Sequence, residues 1–303
     1  MVSSPTWPSQ VTVVDVTPRD GLQDAEHFVT SEQKLTFINA LLDAGVNAIE
    51  ATSFMHPKWI PQLADADYVA THLQQRPGVM YSALIPNLRG YERARAANIE
   101  EITLVVSASE SHNKANLNRS VEESLVQLKE VAQRARADGV LVRGAVATAF
   151  GCPFEGKVAP EAVLRIVRAY AEMEVQQVSL ADTIGVGNPR QVFTLFQLAR
   201  QELPENTSLS AHFHDRAGYG LANVFAALQA GVTTFDAAIG GLGGCPYAPG
   251  APGNLSTETL VEYLEAMGFA TGISLVKLAA AREQLMEDLA RGELVTTGHS
   301  MRR

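Results

Sequence analysis

Cysteine is nearly missing from this chain, with only Cys152 and Cys245 among 303 residues. No disulfide framework can carry the fold, which suits a reducing compartment. No apolar run approaches the length of a membrane span, and the opening MVSSPTWPSQ contains no apolar signal core. Both absences point to the cytoplasm. No Lys/Arg cluster occurs and the formal charge is −9, which argues against nucleic acid and an anionic membrane as partners. An anionic ligand could still be held by local amides and a few basic side chains. No linker, low-complexity segment or composition shift divides residues 1–303, so we read one domain. Its 46% hydrophobic content is enough for a large core.

What the chain has is alternation. Short β-branched or apolar runs at 10–17, 48–54, 79–86, 101–108, 140–149, 176–182, 208–214 and 233–240 read as strands. Between them lie stretches of helical period near 31–44, 62–74, 88–97, 121–138, 160–173, 189–203 and 218–230. Two more helices follow the last strand, within about 255–292, to pack on the barrel. Parallel strands need crossover helices, and right-handed repetition of eight such units closes a sheet into an α/β (β/α)8 TIM barrel. An open doubly wound sheet is the alternative, but no Gly-x-Gly-x-x-Gly turn follows strand 1.

In such a barrel the strand ends and the loops after them form the active face. Strand 1 ends in Thr17-Pro18-Arg19-Asp20-Gly21-Leu22-Gln23, with a guanidinium beside a carboxylate at the mouth. An ion pair pinning a loop would look the same. Strand 7 reads Ala211-His212-Phe213-His214-Asp215. Residues two apart on a strand share a face, so both imidazoles can reach one ion. Asp20 can complete the set, because strands 1 and 7 become near neighbours once strand 8 closes the barrel. Imidazoles, a carboxylate and water favour Mg²⁺ or Mn²⁺, although Zn²⁺ or Co²⁺ could substitute.

Strand 8 runs into a glycine-dense loop, Gly240 to Asn254, which permits close approach to a ligand and a hinged cover. Cys245 in that loop could donate or accept a proton, or could be an ordinary buried cysteine. Asn254 could cap a helix or turn its oxygen to the ion. Glu50 and Asp182, ending strands 2 and 6, could orient Arg19, bind the ligand or merely cap a loop. Asn116, Asn118 and Arg119, in the loop after strand 4, could touch a ligand or be solvated, and Cys152 reads as structural.

Jointly, Thr-Pro-Arg-Asp-Gly-Leu-Gln, Ala-Thr-Ser-Phe-Met-His-Pro-Lys-Trp-Ile-Pro-Gln, Gly-Cys-Pro-Phe-Glu-Gly-Lys, Asp-Thr-Ile-Gly-Val-Gly, His-x-His-Asp and Gly-Leu-Gly-Gly-Cys-Pro-Tyr-Ala resemble 3-hydroxy-3-methylglutaryl-CoA lyases, in order from about residue 10 to residue 275. The resemblance implies a TIM barrel holding Mg²⁺ or Mn²⁺ through Asp20, His212, His214 and Asn254. It implies that Arg19 is the essential cation and Cys245 the loop thiol, with Glu50 and Asp182 in support. Ser53, Asn116, Ser179 and Thr183 fall where that family contacts substrate or CoA; Gln23 and Arg216 complete the candidate substrate contacts. The implied reaction is retro-Claisen cleavage of a tertiary 3-hydroxyacyl-CoA to acetyl-CoA and a keto acid, acetoacetate for the methylglutaryl thioester. Related lyases are often dimers, and the apolar positions of the C-terminal helices could serve a homodimer interface or cover the barrel.

Two departures stand close to the mouth. The chain has His214-Asp215-Arg216-Ala217-Gly218-Tyr219 where these lyases commonly carry His-Asp-Thr-Tyr-Gly-Gln, and Ala145 where a tyrosine is common. Lost aromatic volume could admit a bulkier branch, and Arg216 could grip a carboxylate placed as in citramalyl-CoA. A Claisen-condensing synthase of the isopropylmalate type would normally carry a long C-terminal extension, absent here. A non-catalytic barrel would not need Arg19, Asp20, both histidines and Cys245 together.

Overall fold

A computed structural model describes residues 7–8, 10–216, 218–244 and 253–292. Eight parallel strands close on themselves in chain order. They are β1 (Thr12–Asp15), β2 (Ala48–Ser53), β3 (Met80–Leu84), β4 (Glu101–Ser107), β5 (Leu141–Ala147), β6 (Gln177–Asp182), β7 (Ser208–Phe213) and β8 (Thr234–Ala237). Closure is made by β1 against β8, with Val14 opposite Asp236. All eight expected strands are present, each trimmed at one or both ends. The β1 trimming has a visible cause: residues Thr17–Gly21 wind into a π-helical turn whose Arg19, Asp20 and Gly21 amides all reach the Val16 carbonyl. Single π-turns of this kind often accompany functional sites.

Ten helices surround the strands among the described residues: α1 (Ser31–Asp43), α2 (Ala66–Thr71), α3 (Leu88–Ala96), α4 (Glu110–Leu117), α5 (Val121–Ala137), α6 (Pro160–Glu172), α7 (Pro189–Glu202), α8 (Gly220–Gln229), α9 (Thr257–Ala266) and α10 (Leu275–Arg291). Their starts follow local chemistry. Capping boxes at Thr30/Gln33 and Ser120/Glu123 satisfy the first amides of α1 and α5. The segment after β4, which reads as a loop in the sequence, is helical instead. Ser109 caps His112 and Asn118 ends the turn at φ 54°, so α4 forms without an apolar stripe to announce it. Asn116 therefore sits on a helix. α2 is shorter than the expected 62–74, because residues Pro61–Leu63 form a separate 3₁₀ turn.

Outward-facing strand residues such as Ile102, Leu104, Val106, Val178 and Leu180 are fully buried beneath the helices. Tyr170 of α6 donates to the Leu104 carbonyl at 2.7 Å, and its ring lies where a Cβ on Gly144 would stand, 2.6 Å away. Only glycine lets that ring lie against β5. On α10, Leu278, Ala281 and Leu285 are buried, covering the barrel beside α1 and α9. No helix among the described residues is long and apolar enough to cross a membrane.

Candidate active site

The C-terminal mouth of the barrel gathers the polar residues. Asp20, His212 and His214 each offer a ligand atom, all within 4.8 Å of one another. The two Nε2 atoms stand 3.2 Å apart. His212 Nδ1 lies 3.2 Å from Asp236 Oδ2, an acceptor, so Nδ1 carries the hydrogen and Nε2 is left as the ligand nitrogen. Asn254 stands beside them: its Nδ2 donates to Asp20 Oδ2 at 2.7 Å and to the Leu242 carbonyl at 2.9 Å. Those bonds fix the amide's orientation, and they leave Asn254 Oδ1 buried without a hydrogen-bond partner among the described residues. Two imidazole nitrogens and a carboxylate at one place, beside a residue whose amide oxygen is buried and unpartnered, fit a divalent cation.

Arg19 lies beside this cluster. Its Nε donates to Glu50 Oε2 at 2.5 Å and its Nη1 to Asp20 Oδ1. Burial works against its charge, but Asp20 and Glu50 outweigh it and hold the guanidinium cationic. Burial likewise opposes charge on Asp20. Arg19, the two histidines and the Asn254 amide prevail, keeping that carboxyl well below the usual carboxylate range. For His212, burial favours the neutral ring, whereas Asp236 and Asp20 raise its proton affinity above the ordinary value. The acids that attract a proton to His212 would also favour a cation there, and its ligation would release that proton.

Beneath the cluster lies a buried charge chain that sequence reasoning missed. Arg143, 1% exposed, donates to Asp236 Oδ1 at 2.5 Å and reaches Ser179 Oγ at 3.3 Å. Asp236 and His212 are register partners on β8 and β7. A signal existed: an Asp and an Arg within apolar strand runs must be paired if buried.

The other expected residues divide in two. Gln23, Glu50, Ser179 and Thr183 line the cavity at the mouth, with Asn116 on its rim. Asp182 does not. Ala181 faces the cavity, so alternation turns Asp182 away, where it accepts from the Val186 and Gly187 amides at 3.0 and 2.8 Å. Ser53 is buried and takes the Met55 amide at 3.3 Å, whereas Arg216 is exposed and outside the cavity lining. Cys245 lies outside the described residues, although Gly244, one residue before it, lines the cavity. Cys152 is buried, its thiol 3.0 Å from Ser109 Oγ and accepting from the Phe154 amide, a structural setting.

Fold and site together define a TIM-barrel protein with a two-histidine, one-carboxylate centre at its mouth. The HMGL-like family model matches residues 10–285, and the chain belongs to that family. A hydroxymethylglutaryl-CoA lyase of Bacillus subtilis is 45% identical over 94% of this chain and 95% of its own. The mitochondrial hydroxymethylglutaryl-CoA lyase of Bos taurus is 44% identical, over 94% of this chain and 88% of its own. Among solved structures, the Bacillus subtilis HMG-CoA lyase superimposes with a TM-score of 0.90 at 44% identity, covering 96% of this chain and 97% of that one. An HMG-CoA lyase from Acinetobacter baumannii, in complex with coenzyme A and 3-methylmalate, gives 0.89 at 39% identity over 97% and 96%.

Proposed function

We propose that this chain is a divalent-cation-dependent carbon–carbon lyase that cleaves 3-hydroxy-3-methylglutaryl-CoA to acetyl-CoA and acetoacetate. The observation that carries the reading is the convergence of Asp20, His212 and His214, with Asn254 bonded to Asp20, beside a half-buried, acid-clamped Arg19. Asp20, His212, His214 and Asn254 would hold the cation, Mg²⁺ or Mn²⁺ from their hard and borderline donors, which would supply Lewis acidity toward hydroxyl and carboxylate oxygens.

The chain's own residues supply the rest. Glu50 and Asp20 hold the Arg19 guanidinium in one orientation, so a donor is in place for the oxygen that gains charge as the thioester enolate forms. Asp236 fixes the tautomer of His212, and Arg143 fixes Asp236. Gln23, Ser179 and Thr183 offer hydrogen bonds to an acyl-CoA at the cavity wall, and Asn116 one at the rim. Cys245, following Gly244 at the mouth, is assigned the proton delivered to the enolate carbon. Asp182 and Ser53 shape their loops. The reading keeps residues 1–303 as one catalytic domain working in the cytoplasm. The citramalyl-CoA alternative depended on Arg216, which lies outside the cavity lining.

Purified protein with Mg²⁺ and 3-hydroxy-3-methylglutaryl-CoA should release acetyl-CoA and acetoacetate in equal amounts, and Arg19→Met should cut kcat by at least about two decades with a smaller effect on binding. No acetyl-CoA from the wild type would overturn the reading. Proportional loss of affinity at unchanged kcat would make Arg19 a binding residue only.

A further inference from the structure

The cavity has a second wall that the chemistry above does not use. In a closed barrel of eight strands, β3, β4 and β5 stand opposite β7, β8 and β1, which carry the polar centre. On that far side Leu84, Val105 and Ala145 point inward from three consecutive strands and line the cavity. All three are only half-buried, whereas their outward-facing neighbours Ala83, Leu104 and Val146 are completely covered. The residual exposure of the three lies toward the cavity. Ala145 is flanked in register by Val105 and Ser179, and the cavity continues beneath it to Thr103 and Arg143. A small side chain at 145 is what keeps that depth open.

An apolar wall facing an open cavity costs free energy when wetted and returns it when an apolar group covers it, at about 25 cal/mol per Å². The polar ends of a 3-hydroxyglutaryl thioester belong to the opposite wall. Its C3 carbon also carries one apolar substituent, and a methyl group is too small to cover three side chains on three strands. We infer that the protein accepts 3-hydroxyglutaryl-CoA thioesters whose C3 branch is an alkyl chain longer than methyl, with that branch seated on Leu84, Val105 and Ala145. The inference rests on the lyase reading above. Its reaction balances without another reactant: the C3 hydroxyl loses a proton, the C2–C3 bond breaks, its electron pair stays on C2, and C2 takes a proton. The products are acetyl-CoA and a 3-oxo acid bearing the longer chain.

The test compares 3-hydroxy-3-butylglutaryl-CoA with 3-hydroxy-3-methylglutaryl-CoA on the Mg²⁺-loaded protein, by acetyl-CoA release. The butyl compound should reach a kcat/KM no more than tenfold below the methyl compound. Ala145→Leu and Ala145→Tyr should each lower the butyl-to-methyl ratio of kcat/KM by at least about tenfold, the effect of a few methylenes in an apolar pocket. Cleavage of neither compound by the wild type defeats the lyase reading itself. Cleavage of the methyl compound alone, or equal loss on both substrates in a variant that binds Mg²⁺ and keeps its wild-type unfolding midpoint, overturns the inference. Equal loss would mean that the wall serves the pantetheine arm common to both.

Discussion

At the scale of single residues, Asp236 is a positioning residue whose role follows from strand register, which no local sequence pattern states. It fixes the tautomer of His212 on one side and neutralises Arg143, 1% exposed, on the other. Asp236→Asn keeps an acceptor for one neighbour but removes the charge that both need. Loss of such an outer partner typically costs 10- to 100-fold in metal affinity. Mn²⁺ titration followed by electron paramagnetic resonance should therefore show affinity weakened by about that factor, in protein that remains folded by circular dichroism. Unchanged affinity would reduce Asp236 to a counter-ion for Arg143.

At the scale of elements, alternation and capping chemistry locate the strands and most helices, but not α4, whose start and stop lie in Ser109 and Asn118 rather than in a stripe. One tie between distant elements was also invisible. Asp15 of β1 is buried, taking the Thr17 amide at 2.9 Å and the Thr257 hydroxyl at 2.8 Å, so it fastens the start of α9 to the first strand. Burial raises its carboxyl from 3.8 to about 6 against those hydrogen bonds. A folded-state value above the unfolded one means that the fold favours the protonated acid. Its stabilising contribution is complete below pH 3.8 and disappears as pH rises through about 6. Asp15→Asn keeps the acceptor for Thr17 and removes the ionisation. In urea denaturation, the variant should gain about 2 kcal/mol relative to wild type between pH 4 and pH 6.5. A difference between the two proteins that stays flat across that window would show that Asp15 does not titrate there.

At the scale of the molecule, counting eight strand–helix units was enough to close the barrel, and closure brings residue 20 beside residues 212 and 214. Sequence could not say how far each inward side chain fills the interior. That left the apolar wall at Leu84, Val105 and Ala145 and the rotation of Asp182 away from the cavity to be read from the structure. The same closure ties ion binding to stability. The candidate ligands come from both ends of the chain, so they meet only in the folded state. A cation that binds this state alone stabilises it by RT ln(1 + [L]/Kd), about 2.7 kcal/mol at a hundredfold excess over Kd. For a chain of this length that corresponds to a Tm higher by roughly 4 °C. Thermal unfolding by circular dichroism in excess Mn²⁺ should exceed that in chelator by about this amount in the wild type. His212→Ala should unfold at one temperature in both, close to the chelated wild type, because removing a mouth residue spares the core. An equal Tm with and without Mn²⁺ in the wild type would mean that Asp20, His212, His214 and Asn254 do not assemble around an ion.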